Sequence, residues 1–349
     1  MATIQKITCK TVVRPMRTTF ATAWGSKTCA TSVIVAVTCD DGATGIGEVP
    51  TSFVVPQETV EVIKQTIRQS KPILYHQPIS DWSVLTEKLQ HQFPDFHMTC
   101  SGIETAMFRA WLAGVGSDEI TWWGKNSNTL TSDITIPFVP DIDALRPWIE
   151  RAISNRFNVY KVKVSGNVKQ DAVFVRSITE ILSDSAISYT IRLDGNQGFT
   201  CDSALRLLDE LDERIELFEQ PLKYDDYEGM KQLCRKVPVP MIADETVFSV
   251  EDARRVIGDG LAHGINIKIA KSGITQSREI IKLAKKAKLK LMIGCMTETM
   301  VGLSTALYCA MGTEAFDYID LDSVHFLHHR KQYQDILIHG PAYQLGGQA

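Results

Sequence analysis

The chain has no apolar run long enough to span a bilayer, and its opening stretch MATIQKITCK lacks the apolar core of a signal peptide. It also has no long basic run, and its net charge is only −4, so neither a nucleic acid nor an anionic membrane surface is suggested as a partner. The eight cysteines (Cys9, Cys29, Cys39, Cys100, Cys201, Cys234, Cys295 and Cys309) are scattered without a CxxC pair. That excludes a disulfide framework or a zinc motif and points to reduced thiols in a cytoplasmic protein. A glycine-rich nucleotide turn is missing too. GIGE at 45–48 has neither a third glycine nor a following helical pattern, and reads as a strand-edge turn.

What remains is ordinary globular material: 349 residues, 44% hydrophobic and 22% charged, enough for one large core or two. Residues 4–16 and 30–50 read as antiparallel strands with a turn at Asp41-Gly42, and residues 57–69 and 101–115 carry helical apolar spacing. Residues 116–133 read as a connecting segment. From about residue 132 short apolar runs alternate with amphipathic stretches: DITIPFV, VYKVKVS, YTIRLDG, IELFEQP, VPMIADE, GINIKIAK, LKLMIGCM and FDYIDLD. Eight strands with intervening helices predict an α/β fold, a TIM-type (β/α)7β barrel, behind an N-terminal α+β capping domain. The expected division is 1–125 for the cap, joined by residues about 330–349, and 126–329 for the barrel.

The strand ends carry the chemistry. In order they supply Lys163, Asp194, Glu219, Asp244, Lys268, Glu298 (just past its strand) and Asp320/Asp322. Asp194 to Glu219 is 25 residues, Glu219 to Asp244 is 25 and Asp244 to Lys268 is 24, the length of one strand–helix unit each. These side chains should therefore meet at the C-terminal mouth of the barrel, where active sites of this architecture sit. Three carboxylates in one small volume repel unless a cation joins them. An oxygen-only ligand set selects a hard ion, Mg²⁺ by default with Mn²⁺ as a tolerable substitute. Lys161 and Lys163 are two apart and share a strand face, which the pattern places inside the barrel. A nearby dication and desolvation would both lower a lysine pKa towards that of a neutral base.

The set YKVKVS, RLDGNQGF, FEQPL, IADET, NIKIAKSG and TET resembles the enolase superfamily, and within it the muconate lactonising enzyme subgroup. The closing DLD narrows the resemblance to the dipeptide epimerases, typified by L-Ala-D/L-Glu epimerase. It covers nearly the whole chain, because the N-terminal segment is similar to that superfamily's capping domain. A Lys or His base working with Mg²⁺ is the general pattern there. The resemblance implies that Asp194, Glu219 and Asp244 ligate one Mg²⁺, which binds the substrate carboxylate and stabilises an enediolate. It implies that Lys163 and Lys268 are the acid/base pair on opposite faces of the α-carbon, in a 1,1-proton transfer that epimerises a dipeptide. Lys161 would hold the carboxylate, Thr135 would touch substrate, and Asp320 and Asp322 would grip the free ammonium. Cys295, Met296 and Glu298 fall at the mouth as further substrate contacts. Side-chain selectivity would sit in cap loops around residues 20–28 and 50–56, with Phe20, Trp24, Lys27 and Phe53. That mixture admits an apolar residue, and Lys27 offers a partner to an acidic one.

Two departures stand out: Arg109 in AMFRAWL, where relatives carry an Asp-bearing segment, and SGI after Lys271, where many carry a glycine pair. Other charged residues read blandly. Lys271, three after Lys268, reads as loop or surface; Asp225 and Asp226 as solvated loop; His325, His328 and His329 as a surface patch. Glu245 reads equally as a loop charge or as support for Lys268 or the metal. Cys295 has no histidine in a partner position and reads as packing, not as a nucleophile. The alternatives are a muconate-type cycloisomerase or o-succinylbenzoate synthase, a Schiff-base lyase using Lys163 or Lys268, and a non-catalytic peptide binder. None of these needs both a DLD ammonium grip and two facing lysines. Which dipeptide is used is not legible, and a homo-oligomer is among the states left open.

Overall fold

Alternation of buried and exposed residues in the first fifty positions builds a three-stranded antiparallel sheet: β1 (Ile4–Thr22), β2 (Gly25–Cys39) and β3 (Thr44–Pro50). The structure is a computed structural model, described here for residues 1–22, 24–139, 141–185, 187–211, 215–328 and 335–346. Gly42, at φ +88°, turns the chain between β2 and β3. GIGE is therefore not a strand-edge turn but the body of β3. A Cβ on Gly47 would collide with the Gly102 carbonyl, so its glycines let a helix backbone lie directly on the strand.

Three helices cover this sheet: α1 (Val60–Leu74), α2 (Trp82–Gln92) and α3 (His97–Val115). The stretch read as a plain connection contains α4 (Glu119–Trp123) and β4 (Thr129–Thr131). Trp122 and Trp123 there pack into an aromatic group with Trp82 and Phe108.

Eight parallel strands follow in spatial order: β5 (Ile134–Ile136), β6 (Val159–Lys163), β7 (Thr190–Asp194), β8 (Ile215–Glu219), β9 (Met241–Ala243), β10 (Gly264–Ile267), β11 (Lys290–Gly294) and β12 (Tyr318–Asp320). Between them run α5 (Ile142–Ser154), α6 (Val168–Asp184), α7 (Cys201–Glu210), α8 (Tyr227–Lys236), α9 (Val250–Asp259), α10 (Ile269–Ala287) and α11 (Met300–Thr313). This is a nearly closed (β/α)7β barrel. The seam between β12 and β5 is crossed by Asp133 N donating to Ile319 O at 3.3 Å, Leu321 N to the Ser132 hydroxyl at 2.7 Å and Thr135 N to the Asp322 carboxylate at 2.6 Å. A C-terminal hairpin, β13 (Ile336–His339) and β14 (Ala342–Leu345), pairs with β4.

Outward-facing strand residues such as Tyr160, Val162, Leu193 and Phe218 are buried under the helices. The period of two sends the alternate set inward: Lys161 and Lys163, Arg192 and Asp194, Leu217 and Glu219, Ile242 and Asp244. Leu217, Ile242 and Met292 form their own small apolar cluster, a floor under the ionic layer above it.

Candidate active site

Strand register sets the site. Lys163 pairs across β6/β7 with Asp194, and Asp194 across β7/β8 with Glu219; Asp244 follows β9 and Lys268 follows β10. Each of these side chains is at least nine-tenths buried. Lys163 is ion-paired to Asp194, and Lys268 Nζ donates to Asp244 Oδ2 at 2.7 Å. Lys161 is not a surface lysine: its ammonium meets Asp320, Glu219 at 3.3 Å and Asp194 at 3.5 Å.

Lys271, read above as loop or surface, is wholly buried and donates to Asp244 Oδ1 and to Asp244 O, both at 2.6 Å. The reason is a break at Gly273 (φ +73°), which separates the first turn of α10 from the rest and turns Lys271 inward. A Cβ at Gly273 would strike the Glu104 carboxylate. That carboxylate, from the cap's α3, accepts from Ile274 N at 2.9 Å and Thr275 N at 2.8 Å, while Ser101 donates to Ile269 O. The cap thus clamps the segment that carries both lysines.

Burial pulls the Lys268 ammonium down, but the Asp244 and Glu219 carboxylates outweigh it and hold its pKa above the ordinary value. Burial likewise opposes Lys161, and Asp320, Glu219 and Asp194 raise it. The lowered lysine pKa expected from desolvation is therefore not what these carboxylates produce by themselves. Lys271, by contrast, is lowered, by burial only partly offset by Asp244. Among the acids, burial and Asp194 push Glu219 up to about 7, and burial with Asp244 and Asp194 pushes Glu245 up to about 8. Glu245 is thus no exposed loop charge: it is buried and accepts from Asn196 Nδ2 at 3.1 Å.

On the donor chemistry, the Asp194–Glu219–Asp244 set fits a hard divalent cation. It is all carboxylate, wholly buried and on three adjacent strands, with Glu219 left holding its charge poorly. As oriented, however, these acids face lysines. The triple with oxygens within 4.8 Å of one another is instead Asp133, Asp320 and Asp322 among the described residues. There Asp133 is tied to Arg192 at 2.7 Å, Asp320 to Lys161 and Asp322 to the Thr135 amide. Burial and Asp320 push Asp322 up to about 6.

A cavity lined from both barrel and cap opens above this layer. Lys161, Lys163, Asp244, Lys268, Asp320 and Asp322 reach it from the barrel, with Thr135, Cys295 and Met296. Phe20, Trp24, Lys27 and Phe53 reach it from the cap. Phe20 stands edge-on to Phe326, with Lys163 Nζ 5.9 Å from its ring centre, and the Trp24 indole N–H donates to Asn196 O at 2.7 Å. Cys295 sits 3.9 Å from Asp322, and burial pushes its thiol up, which suits packing. Glu298, expected as a substrate contact, does not line the cavity. Its carboxyl lies against the Met296 amide and the first turn of α11 at Gly302.

His325 is buried, with its ring edge-on to Phe157 and Tyr343, so the surface reading fails for it; His328 is exposed and His329 lies outside the described residues. Asp225 and Asp226 are exposed, and Asp226 caps α8 through Gly229 N. Arg109 is buried in bonds to Glu119, Ile46 O, Ser304 and Thr305, joining cap to barrel. Sequence reasoning missed Asn266, which donates to Glu219 at 2.6 Å, although its place two before Lys268 put it on the same inward face. Arg192, two before Asp194 on β7, carried the same signal, whereas Lys271, beyond the end of its strand, did not.

Residues 144–346 match the family model described as "Enolase C-terminal domain-like", and residues 5–111 match "Mandelate racemase / muconate lactonizing enzyme, N-terminal domain". Curated relatives include an L-Ala-D/L-amino acid epimerase from Populus trichocarpa, 31% identical over 84% of this chain and 70% of its own length. An aromatic dipeptide epimerase from Herpetosiphon aurantiacus is 30% identical over 93% of this chain and 91% of its own. Among solved structures, a dipeptide epimerase from Enterococcus faecalis, complexed with Mg and the dipeptide L-Leu-L-Tyr, superposes with a TM-score of 0.90. It is 25% identical, over 99% of this chain and 98% of its own.

Proposed function

Because the chain belongs to the mandelate racemase/muconate lactonizing enzyme family of the enolase superfamily, we propose that it is a dipeptide epimerase that inverts one α-carbon by moving a proton between two lysines. The observation that carries this reading is the placement of two ammonium groups on opposite sides of one cavity, Lys163 on β6 and Lys268 after β10. A carboxylate pair, Asp320 and Asp322, stands at β12 beside them. One lysine removes the α-proton from one enantiomer; the other, protonated, delivers a proton to the opposite face. Asp320 and Asp322 hold the free ammonium of the peptide with charge-assisted hydrogen bonds. Thr135 and Lys161 border the path of the peptide, and Lys161 also keeps Asp320 in place. Phe20 and Trp24 cover the cavity and exclude water. Asp194, Glu219 and Asp244 would hold a magnesium ion. When bound, that ion supplies positive charge for the substrate carboxylate and for the negative charge that develops as the α-proton leaves.

The test is incubation of the protein with Mg²⁺ and a dipeptide library in D₂O, read by mass for α-deuteration and by chiral chromatography for inversion. The expected result is both in at least one free dipeptide. Turnover confined to N-acetylated amino acids or muconate-like diacids would refute the reading, since neither has an ammonium for Asp320 and Asp322.

A further inference from the structure

Three carboxylates at the barrel seam, where β5 and β12 meet, are held alike. Each has one oxygen fixed by the protein. Asp133 Oδ2 accepts from Arg192 at 2.7 Å, Asp322 Oδ2 from the Thr135 amide at 2.6 Å, and Asp320 Oδ2 is paired to Lys161. Their second oxygens are poorly met. Asp133 Oδ1 and Asp320 Oδ1 are buried with no hydrogen-bond partner among the described residues. Asp322 Oδ1 has the Cys295 thiol at 3.9 Å, a weak donor. All three residues are more than nine-tenths buried, and the group brings oxygens within 4.8 Å of one another.

The charges do not balance either. Three carboxylates face two cations, Arg192 and Lys161, and neither cation belongs to them alone. Arg192 also meets Glu216 at 2.6 Å, and Lys161 meets Glu219 and Asp194 at 3.3 and 3.5 Å. At least one negative charge of the group is therefore uncompensated. Burial and the Asp320 charge push the Asp133 carboxyl well above its usual range, as befits an acid short of a counter-ion. An interior holding that charge and two orphaned oxygens is costly unless a cation joins them.

We propose that Asp133, Asp320 and Asp322 form a binding site for one small monovalent cation, sodium or potassium, separate from the carboxylates that would hold magnesium. The donors are all oxygen, which selects a hard ion. Oxygens up to about 4.8 Å apart can share one cation whose bonds are about 2.4 Å long. The charge count selects a monocation: with Arg192 and Lys161 in place it balances the group, whereas a dication would leave it positive. Asp320 and Asp322 line the cavity, which gives the ion its way in. The functional consequence rests on the epimerase reading. There the free ammonium of a dipeptide brings the same single charge to Asp320 and Asp322, so peptide and alkali cation exclude one another.

The experiment measures ²³Na line broadening by the wild type, Asp133→Asn and Asp322→Asn. Mg²⁺ is in excess, so that Asp194, Glu219 and Asp244 are not open to sodium. Ionic strength is held constant with tetramethylammonium chloride, whose methyl groups keep its charge away from carboxylate oxygens. The wild type should show saturable broadening that potassium reverses, and each folded variant should lose it. With sodium at about ten times the Kd so measured, KM for a free dipeptide should rise roughly tenfold while kcat is unchanged. No saturable broadening in the wild type, or broadening that persists in either folded variant, overturns the cation site; dipeptide turnover indifferent to sodium would then leave the epimerase reading intact. Sodium bound and lost in the variants, with no dipeptide turned over, supports the site and refutes the epimerase. Sodium bound, dipeptides turned over and KM unmoved would overturn the exclusion, and with it the placement of the ammonium at Asp320 and Asp322.

Discussion

Glu104 offers the sharpest test of how cap and barrel are joined, because its carboxyl group is wholly buried. It accepts from Ile274 N, Thr275 N and the Thr275 hydroxyl, closing the break at Gly273. Burial nonetheless pushes its pKa up from 4.5 to about 7, with the Thr275 and Ile274 hydrogen bonds only partly opposing. The sign follows from proton counting. Between pH 4.5 and 7 the folded protein holds a proton on Glu104 that the unfolded chain has released. This group therefore makes stability fall as pH rises through that window. About 2.5 units at about 1.4 kcal/mol each give a loss of roughly 3.5 kcal/mol at most. Glu104→Gln keeps the size, cannot ionise and removes this slope. Urea denaturation of both proteins at pH 5 and pH 7.5 measures it. The variant should gain on the wild type by about 1–3 kcal/mol on going to pH 7.5, whatever its handicap at pH 5. A gap constant to about 0.5 kcal/mol, the usual spread of an inert substitution, would show that Glu104 ionises at an ordinary pH. Glu104→Ala, which leaves the buried Ile274 amide and the half-buried Thr275 amide without their acceptor, should cost about 2–5 kcal/mol at either pH and lower kcat by loosening Lys268.

Three further outcomes are expected. Lys163→Ala and Lys268→Ala should each stop inversion, with losses of about 10²- to 10⁴-fold. Each should still exchange deuterium into the enantiomer that faces the surviving lysine, as chiral chromatography with mass detection will report; near wild-type inversion by either variant refutes the pairing. Excess chelator should abolish turnover and Mg²⁺ restore it, and Glu219→Gln should weaken Mg²⁺ binding measured by calorimetry; full activity in chelator would refute the metal assignment. Asp322→Asn should raise KM for free dipeptides more than it lowers kcat. Asp320→Asn should lower kcat as well, because Asp320 also holds Lys161. Identical kinetic signatures would mean that Lys161 does not depend on Asp320.

The barrel was legible because its signals are local. Each strand is a short apolar run, and each of the central ones ends in an ionisable residue at a spacing of 24 or 25, so the inward face could be read by counting in twos. The same counting places Asn266 with Lys268. It fails once the chain leaves the strand. Lys271 lies in the first turn of α10, and whether it points to water or to Asp244 is decided by the break at Gly273. That break is held in turn by Glu104, about 170 residues earlier in the chain. His325 and the small elements α4 and β4 were hidden for a related reason: they are ordered by rings and strands brought from elsewhere, not by their own propensity.

Those long-range bonds also explain why the site needs its cap as more than a lid. Arg109 reaches from α3 to Ser304 and Thr305 of α11, and Glu48 of β3 accepts from Thr299 N and Gly302 N at that helix's first turn. Glu104 and Ser101 take the corresponding position at α10. The two helices that follow β10 and β11 are therefore fixed at their N-terminal ends by buried carboxylates of the cap. Lys268, Cys295 and Met296, which lie just before those ends, take their geometry from both domains at once. A hydrophobic interface would bury the same surface but tolerate sliding. Directed bonds to backbone amides do not, because a shift of about an ångström leaves the amide without its acceptor. The chemistry proposed for Lys268 demands that rigidity, since a proton must leave one face of a carbon and arrive at the other within hydrogen-bonding reach of two separate amines.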